Sequence, residues 1–150
     1  MKLIGNKEIV GFEIGPYCAG SKQLQEINTW VKGKHIHVHD NIVYLPAFYT
    51  HLEREILALE KNDYSQSGLM NRSDDELYAH LMENWEQLIL RYDIGVNPAW
   101  CVFVESPPSD FILFSLQDLQ SEIGNLFKVE ISKQQLLKTL RELLANLSNA

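Results

Sequence analysis

The hydrophobic pattern changes period at Pro46, and this change constrains the fold more than any other feature of the sequence. Before Pro46, short runs such as residues 8–15, 24–31 and 42–45 carry the β-branched and alternating residues that are typical of strands. Gly15-Pro16 predicts the end of the strand that begins at residue 8. After Pro46, apolar residues recur every three or four positions, which predicts a helix with a buried stripe of Phe48, Leu52, Ile56 and Leu59.

The second half of the chain also groups its predicted elements. Ser73 and Glu76 form a capping-box pattern, which predicts a helix from residue 73 to about residue 93. Its expected apolar face consists of Leu77, Tyr78, Leu81, Met82, Trp85, Leu88 and Ile89. Residues 99–104 and 111–116 predict a hairpin, and residues 126–131 a further strand. A capping-box pattern at Ser132 then begins a leucine-rich C-terminal helix.

Strands therefore occur in groups instead of alternating with helices. That order favours an α+β fold with mainly antiparallel pairing over a doubly wound parallel fold. A chain of 150 residues is of ordinary length for one domain. We therefore predict a single α+β domain over residues 1–150, with a mainly antiparallel sheet of about five to seven strands and three helices.

Negative charge is concentrated in the middle of the chain. The formal net charge is −7, and residues 40–93 alone hold eleven acidic and four basic residues, which is also −7. This balance disfavours partners such as nucleic acid or an anionic membrane, which recruit Lys and Arg. A surface of one sign attracts basic proteins, although acidic helix faces also serve simply to keep a small protein soluble.

The sequence lacks the motifs of the common enzyme classes. Glycine-rich phosphate loops, the HExxH zinc helix and the GxSxG nucleophile elbow are all absent. Cys18 and Cys101 form neither a disulfide framework nor a CxxC site, and Cys101 belongs to an apolar strand. No apolar run reaches the roughly 18–20 residues of a membrane helix, and no signal peptide is visible. We predict a cytoplasmic protein without enzymatic activity or cofactor.

Three histidines stand at alternate positions of a predicted strand. His35, His37 and His39 would share one strand face, and imidazole is a common zinc ligand. However, His35 and His39 lie roughly 13 Å apart at ~3.3 Å per residue, so only an adjacent pair could share one ion. Further ligands would have to come from elsewhere, with His51 and Glu55 as candidates. We predict no bound metal and keep His35, His37 and His39 as the alternative.

The first half of the chain carries a W-x-x-G-K … D-N … Y-L-P pattern. It comprises residues 27–34 (INTWVKGK) and 40–46 (DNIVYLP), followed by a helix containing residues 52–55 (LERE). Over residues 8–60 this resembles the first half of some α+β bacterial immunity proteins, which neutralise polymorphic or contact-dependent growth-inhibition toxins. Such proteins are small, cytoplasmic and often acidic, because many of their targets are basic nucleases. The resemblance implies inhibition by tight binding and assigns no catalytic residue.

We predict an immunity protein that binds and inhibits a cognate, basic bacterial toxin domain, such as a nuclease. Carboxylates paired with Lys or Arg and an aromatic side chain in a pocket would make the contact. The predicted contact residues are Glu53, Glu60, Asp63, Tyr64, Asp74, Asp75, Glu83 and Glu86. Two alternatives remain open. One is an acidic secretion-type chaperone for an effector protein, and the other is a metal-dependent enzyme that uses the three histidines.

Overall fold

The computed structural model describes residues 1–36, 41–61, 73–83, 88–89, 100–106, 109–115 and 126–147. These residues form nine strands and three helices. The strands are β1 (Lys2–Asn6), β2 (Val10–Tyr17), β3 (Leu24–Val31), β4 (Lys34–His35), β5 (Ile42–Tyr44), β6 (Leu88–Ile89), β7 (Trp100–Val104), β8 (Phe111–Ser115) and β9 (Leu126–Glu130). The helices are α1 (Leu45–Lys61), α2 (Asp74–Glu83) and α3 (Lys133–Leu147). The predicted α+β class, antiparallel pairing and three helices are confirmed for this part of the chain.

The first sheet is an antiparallel arrangement of β1 to β5. Its order is β1-β2-β3-β4, and β5 pairs with the beginning of β3 while β4 pairs with its end. The β3–β4 connection is a two-residue turn in which Lys32 and Gly33 both have positive φ, 52° and 74°. Positive φ at both turn residues matches the right-handed twist of the flanking strands, which explains the glycine.

Two details of the first sheet differ from expectation. The sequence pattern did not predict β1, which pairs with β2 along its whole length. The prediction that Gly15-Pro16 ends the second strand was wrong, because β2 continues to Tyr17. The register shifts between Ile14 and Tyr17, so Gly15 and Pro16 fall in an irregularity of the ladder. Pro16 has no backbone N–H to donate to the ladder, and this is tolerated at such an irregularity.

The second sheet, β6-β7-β8-β9, is covered on both faces. Side chains alternate along β7, so that Cys101 and Phe103 contact one core cluster while Val102 and Val104 contact another. Leu77 and Leu81 of α2 belong to the second cluster. Strands β7 and β8 pair as the predicted hairpin, and burial on both faces makes β7 a central strand.

The main core lies between the two sheets and helices α1 and α3. The α1 stripe predicted from the sequence is buried throughout. Five leucines of α3 are buried as well, with Leu144 half-buried beside them: Leu136, Leu137, Leu140, Leu143 and Leu147. Phe12, Ile27 and Val31, which face inward from β2 and β3, are each at most 1% exposed. The helices therefore cover the inner face of the first sheet.

Both predicted helix caps are present. The Ser73 hydroxyl accepts from the Glu76 amide at 3.3 Å, and the Ser132 hydroxyl accepts from the Gln135 amide at 3.1 Å. These bonds satisfy amide groups that have no partner within the helix. No helix in the described ranges is both long and apolar enough to cross a bilayer.

The predicted continuation of the second helix to about residue 93 was wrong at residues 88–89. Leu88 and Ile89 form β6, and they pair with Val102 and Cys101 of β7. Their spacing from Leu77 and Leu81 also fits a helix. As a strand, Leu88 and Ile89 form backbone hydrogen bonds along the edge of the apolar strand β7. Pairing with a strand that is distant in sequence overrides the local helical spacing.

Candidate functional site

One face of the first sheet is turned away from the helices. The register of the strands shows which residues lie on that face. Directly opposed residues share a face, and residues two apart in a strand do so as well. Leu3 opposes Glu13, Glu13 opposes Asn28, and Trp30 opposes His35. Leu24 opposes Tyr44, and Glu26 opposes Ile42. We call this surface the outer face; it comprises Leu3, Glu13, Leu24, Glu26, Asn28, Trp30, His35, Ile42 and Tyr44.

At one end of the outer face, a lysine, a carboxylate and an indole are joined. Glu13 Oε1 accepts from Trp30 Nε1 at 2.8 Å and lies 3.0 Å from Lys7 Nζ. Lys7 Nζ also lies 4.6 Å from the centroid of the Trp30 ring, within range of a cation–π contact. Chiefly because Lys7 donates to it, the pKa of the Glu13 carboxyl lies below its ordinary value of 4.5.

The position of Lys7 depends on a glycine. The turn between β1 and β2 bends over the outer face, so that a Cβ on Gly11 would lie 2.9 Å from the backbone nitrogen of Lys7. Real Cβ atoms essentially never come so close to a backbone atom, so this turn requires glycine at position 11. The absence of a side chain at position 11 therefore lets the Lys7 backbone approach β2.

His35 extends the same cluster on the neighbouring strand. Its ring stacks on Trp30 with the centroids 4.9 Å apart and the planes 20° from parallel. Its Nε2 is buried and has no hydrogen-bond partner among the described residues. Burial lowers the pKa of His35 below 6.5, and Lys7 acts in the same direction, against the opposing effect of Glu13 and Glu26. The neutral imidazole is therefore the favoured form in this stack.

A second polar group occupies the middle of the outer face. Glu26 Oε1 accepts from Asn41 Nδ2 at 3.1 Å and from Asn28 Nδ2 at 3.3 Å, and Asn28 Oδ1 accepts from Asn41 Nδ2 at 2.8 Å. The Glu26 side chain packs over Gly15, where a Cβ would lie 3.1 Å from its own. No Lys, Arg or His nitrogen of the described residues lies within 4.0 Å of Glu26. Within the described ranges, the half-buried Glu26 carboxylate is thus held by neutral amides alone.

Apolar side chains surround these polar groups. Leu3, Leu24, Ile42 and Tyr44 are 49%, 37%, 38% and 51% exposed, respectively. They are four of the seven large apolar side chains that are exposed in the described ranges. Apolar side chains around fixed polar groups are the composition of a protein-binding surface.

The structure places the predicted metal ligands on different sides of the first sheet. His35 lies on the outer face, whereas His51 and Glu55 belong to α1, which packs against the inner face. Of the strand predicted through residues 35–39, His35 is the last residue of β4. His37 and His39 lie outside the described residues. Within the described ranges, no three His, Cys, Asp or Glu residues are grouped to hold a metal ion.

The predicted acidic contact residues whose side chains the structure describes do not form one surface. Glu53 and Glu60 are exposed on α1, which packs with the main core, while Asp74 and Asp75 are exposed at the start of α2, which covers the opposite face of the second sheet. Glu60 pairs with Arg141 of α3 at 2.6 Å, and Asp74 lies 3.8 Å from Lys128 of β9. Asp63, Tyr64, Glu86 and the side chain of Glu83 lie outside the described residues.

The two cysteines occupy different environments. Cys101 is 1% exposed, and burial, followed by the nearby Glu55 carboxylate, raises the pKa of its thiol. A buried thiol of raised pKa is a poor nucleophile, which agrees with the prediction that Cys101 is a core residue. Cys18 is a half-exposed free thiol just beyond the end of β2.

The sequence contained a signal for the outer face that prediction did not use. Along β3, Gln25, Ile27, Thr29 and Val31 are buried and face inward, while Leu24, Glu26, Asn28 and Trp30 alternate with them. The run looks apolar because both sets include large hydrophobic residues. Only the register of β2, β4 and β5 shows which set faces away from the helices.

Comparison with known proteins identifies no relative. The chain matches no protein-family model, no curated protein and no solved structure. The geometry of the outer face and the distribution of charge are therefore the observations on which a function can be argued.

Proposed function

We propose that this chain is an immunity protein of the bacterial cytoplasm, which neutralises a cognate toxin domain by binding it and performs no catalysis of its own. The observation that carries the proposal is the outer face of the first sheet. It combines exposed apolar side chains with carboxylates that are already fixed by hydrogen bonds. Monomeric proteins rarely expose clustered apolar side chains without a binding role.

Charge supports a basic partner. The net charge of −7 is large for 150 residues, and exposed carboxylates occur on α1 as well as on α2. These helices lie on opposite sides of the second sheet, so exposed carboxylates occur on both sides of it. The field of such charges accelerates the approach of a basic protein and orients it, while close packing determines how long the complex lasts.

The test is co-expression with the domain encoded immediately upstream, because immunity genes commonly follow their toxin genes. The final 100–200 residues or so of that product, about one domain, would be produced alone and together with this chain. We expect toxicity when the domain is produced alone, rescued growth when both are produced, and a complex that survives size-exclusion chromatography.

A control separates binding from indirect effects on growth. The same toxin domain produced with an unrelated acidic protein of similar size should remain toxic. If the upstream domain is harmless, or if it is toxic but forms no complex with this chain, the immunity function is wrong.

A further inference from the structure

We infer that the toxin docks on the outer face of the first sheet, where a Lys or Arg of the toxin pairs with Glu26. This inference rests on the proposed function and specifies its surface. It differs from the prediction made from the sequence, which placed the contact on the acids of residues 53–86. Those acids would then act mainly at a distance, by attracting the basic partner.

The charge state of the outer face indicates the chemistry of the occupant. Glu13 is already neutralised by Lys7 at 3.0 Å, whereas among the residues that the structure describes the Glu26 carboxylate has amide partners, Asn28 and Asn41, and no cation. A partner that covers this face removes the remaining water from the Glu26 carboxylate. Burying an unpaired charge is strongly unfavourable, so a stable complex requires a cation opposite Glu26.

The apolar side chains of the same face supply the contact area. Leu24 and Tyr44 are directly opposed on adjacent strands, and Ile42 is opposed to Glu26. The cation site is therefore bordered by three exposed apolar side chains that lie on regular strands. Apolar residues around a charged pair exclude water from it, and this arrangement is found at the energetic centre of protein interfaces.

Two side chains of the outer face, Trp30 and Glu26, are already ordered in the free protein. Trp30 is fixed by its bond to Glu13 and by the His35 ring, and Glu26 by two amides. Side chains that are already ordered lose little conformational entropy on binding, which favours affinity. Leu57 of α1 provides a contrast, since it is 49% exposed on a helix that faces the other side of the sheet.

The first experiment measures binding of the upstream-encoded toxin domain to variants of this chain. L24A/Y44A removes apolar area from the outer face, and L57A removes an equally exposed leucine from α1. We expect the dissociation constant to rise about tenfold or more for L24A/Y44A and less than about twofold for L57A. Thermal unfolding of each free variant verifies that the fold is retained.

The second experiment tests the charge. Gln at position 26 keeps an oxygen that can accept from Asn28 and Asn41 but removes the negative charge. E26Q should weaken the complex about tenfold, and E53Q, an exposed carboxylate on α1, should do so less than about twofold. Equal effects of E26Q and E53Q would overturn the pairing of a toxin cation with Glu26.

Hydroxyl-radical footprinting of the wild-type chain provides a readout without mutation. Addition of the toxin domain should protect Tyr44 and Leu24 from oxidation and leave Leu57 reactive. If the complex forms and rescues growth but protects Leu57 instead, the docking surface is wrong and the immunity function stands. If the toxin domain neither binds nor is neutralised, both the function and the docking surface are wrong.

Discussion

The indole of Trp30 and the carboxylate of Glu13 are joined diagonally across two strands. Trp30 stands opposite Gly11 and Glu13 stands opposite Asn28, yet Trp30 Nε1 reaches Glu13 Oε1 at 2.8 Å. Diagonal neighbours in an antiparallel pair are within reach of large side chains. Lys7 completes the group by contacting both the ring and the carboxylate.

The first prediction concerns the charge on Glu13. Its folded-state pKa is lowered, so the ionised carboxylate stabilises the fold at pH values above its ordinary pKa of 4.5, and this contribution is lost as the pH falls through the lowered value. E13Q should therefore reduce the free energy of unfolding by about 0.5–1 kcal/mol at pH 7. Urea unfolding between pH 7 and pH 3 should show the difference from wild type shrinking as the pH falls.

The second prediction concerns the stacked imidazole. The folded-state pKa of His35 is lowered, so protonation favours the unfolded chain. Stability is therefore greatest above the ordinary pKa of 6.5, decreases below it, and stops changing once the pH is below the lowered value. H35F keeps an aromatic ring on Trp30 and removes the titration. Its melting temperature should fall less than that of wild type between pH 7 and pH 5, and equal slopes would contradict the neutral stack.

The third prediction separates the acids of the helices from the outer face by kinetics. Reversing the charge of Glu53, Asp74 and Asp75 to Lys should slow association with the toxin domain about tenfold at low salt, because these exposed groups contribute to the long-range field. L24A/Y44A should instead accelerate dissociation. Stopped-flow measurements at low and high salt distinguish the two effects. A triple variant with unchanged association rate would remove the electrostatic attraction from the proposed function.

The fourth prediction tests whether α2 seals the second sheet. Leu81 is 1% exposed and packs with residues of β7 and β8. L81A should lower the free energy of unfolding by about 2–5 kcal/mol, since it leaves a cavity in that cluster. L57A, at a leucine that is 49% exposed, should cost less than about 0.5 kcal/mol. Similar values for the two variants in urea unfolding would show that α2 does not cover the sheet.

Local signals in the sequence were sufficient for α1, for α3 and for the beginning of α2. Ser73 and Ser132 cap α2 and α3 as predicted, and the buried stripe of α1 follows the three- and four-residue spacing. These features depend on contacts between residues close in sequence. Strands β2, β3 and β7 were predicted from runs of alternating or β-branched and aromatic residues, because each of these strands buries at least one face.

Pairing between distant segments was not predictable in the same way. Residues 88–89 fit a helix by spacing, and β1 shows no clear alternation of apolar and polar residues. Each nevertheless forms a strand, because β1 pairs with the edge of β2 and residues 88–89 pair with the edge of β7. The candidate functional site also depends on pairing between segments that are distant in sequence. Asn41 meets Glu26 only because β5 pairs with the beginning of β3. The acidic residues of α1 and α2 lie apart because the second sheet lies between the two helices. The sequence does not predict where that sheet packs.

The alternation along β3 affects how such a protein can change over evolutionary time. Leu24, Glu26 and Trp30 alternate with buried neighbours and lie outside the main core cluster, so substitutions at these positions leave the packing of that core in place. An insertion or deletion of one residue in β3 would exchange the two sets and bury Glu26. On the proposed function, binding specificity would change by substitution at alternate positions of β3, while the length of that strand stays fixed.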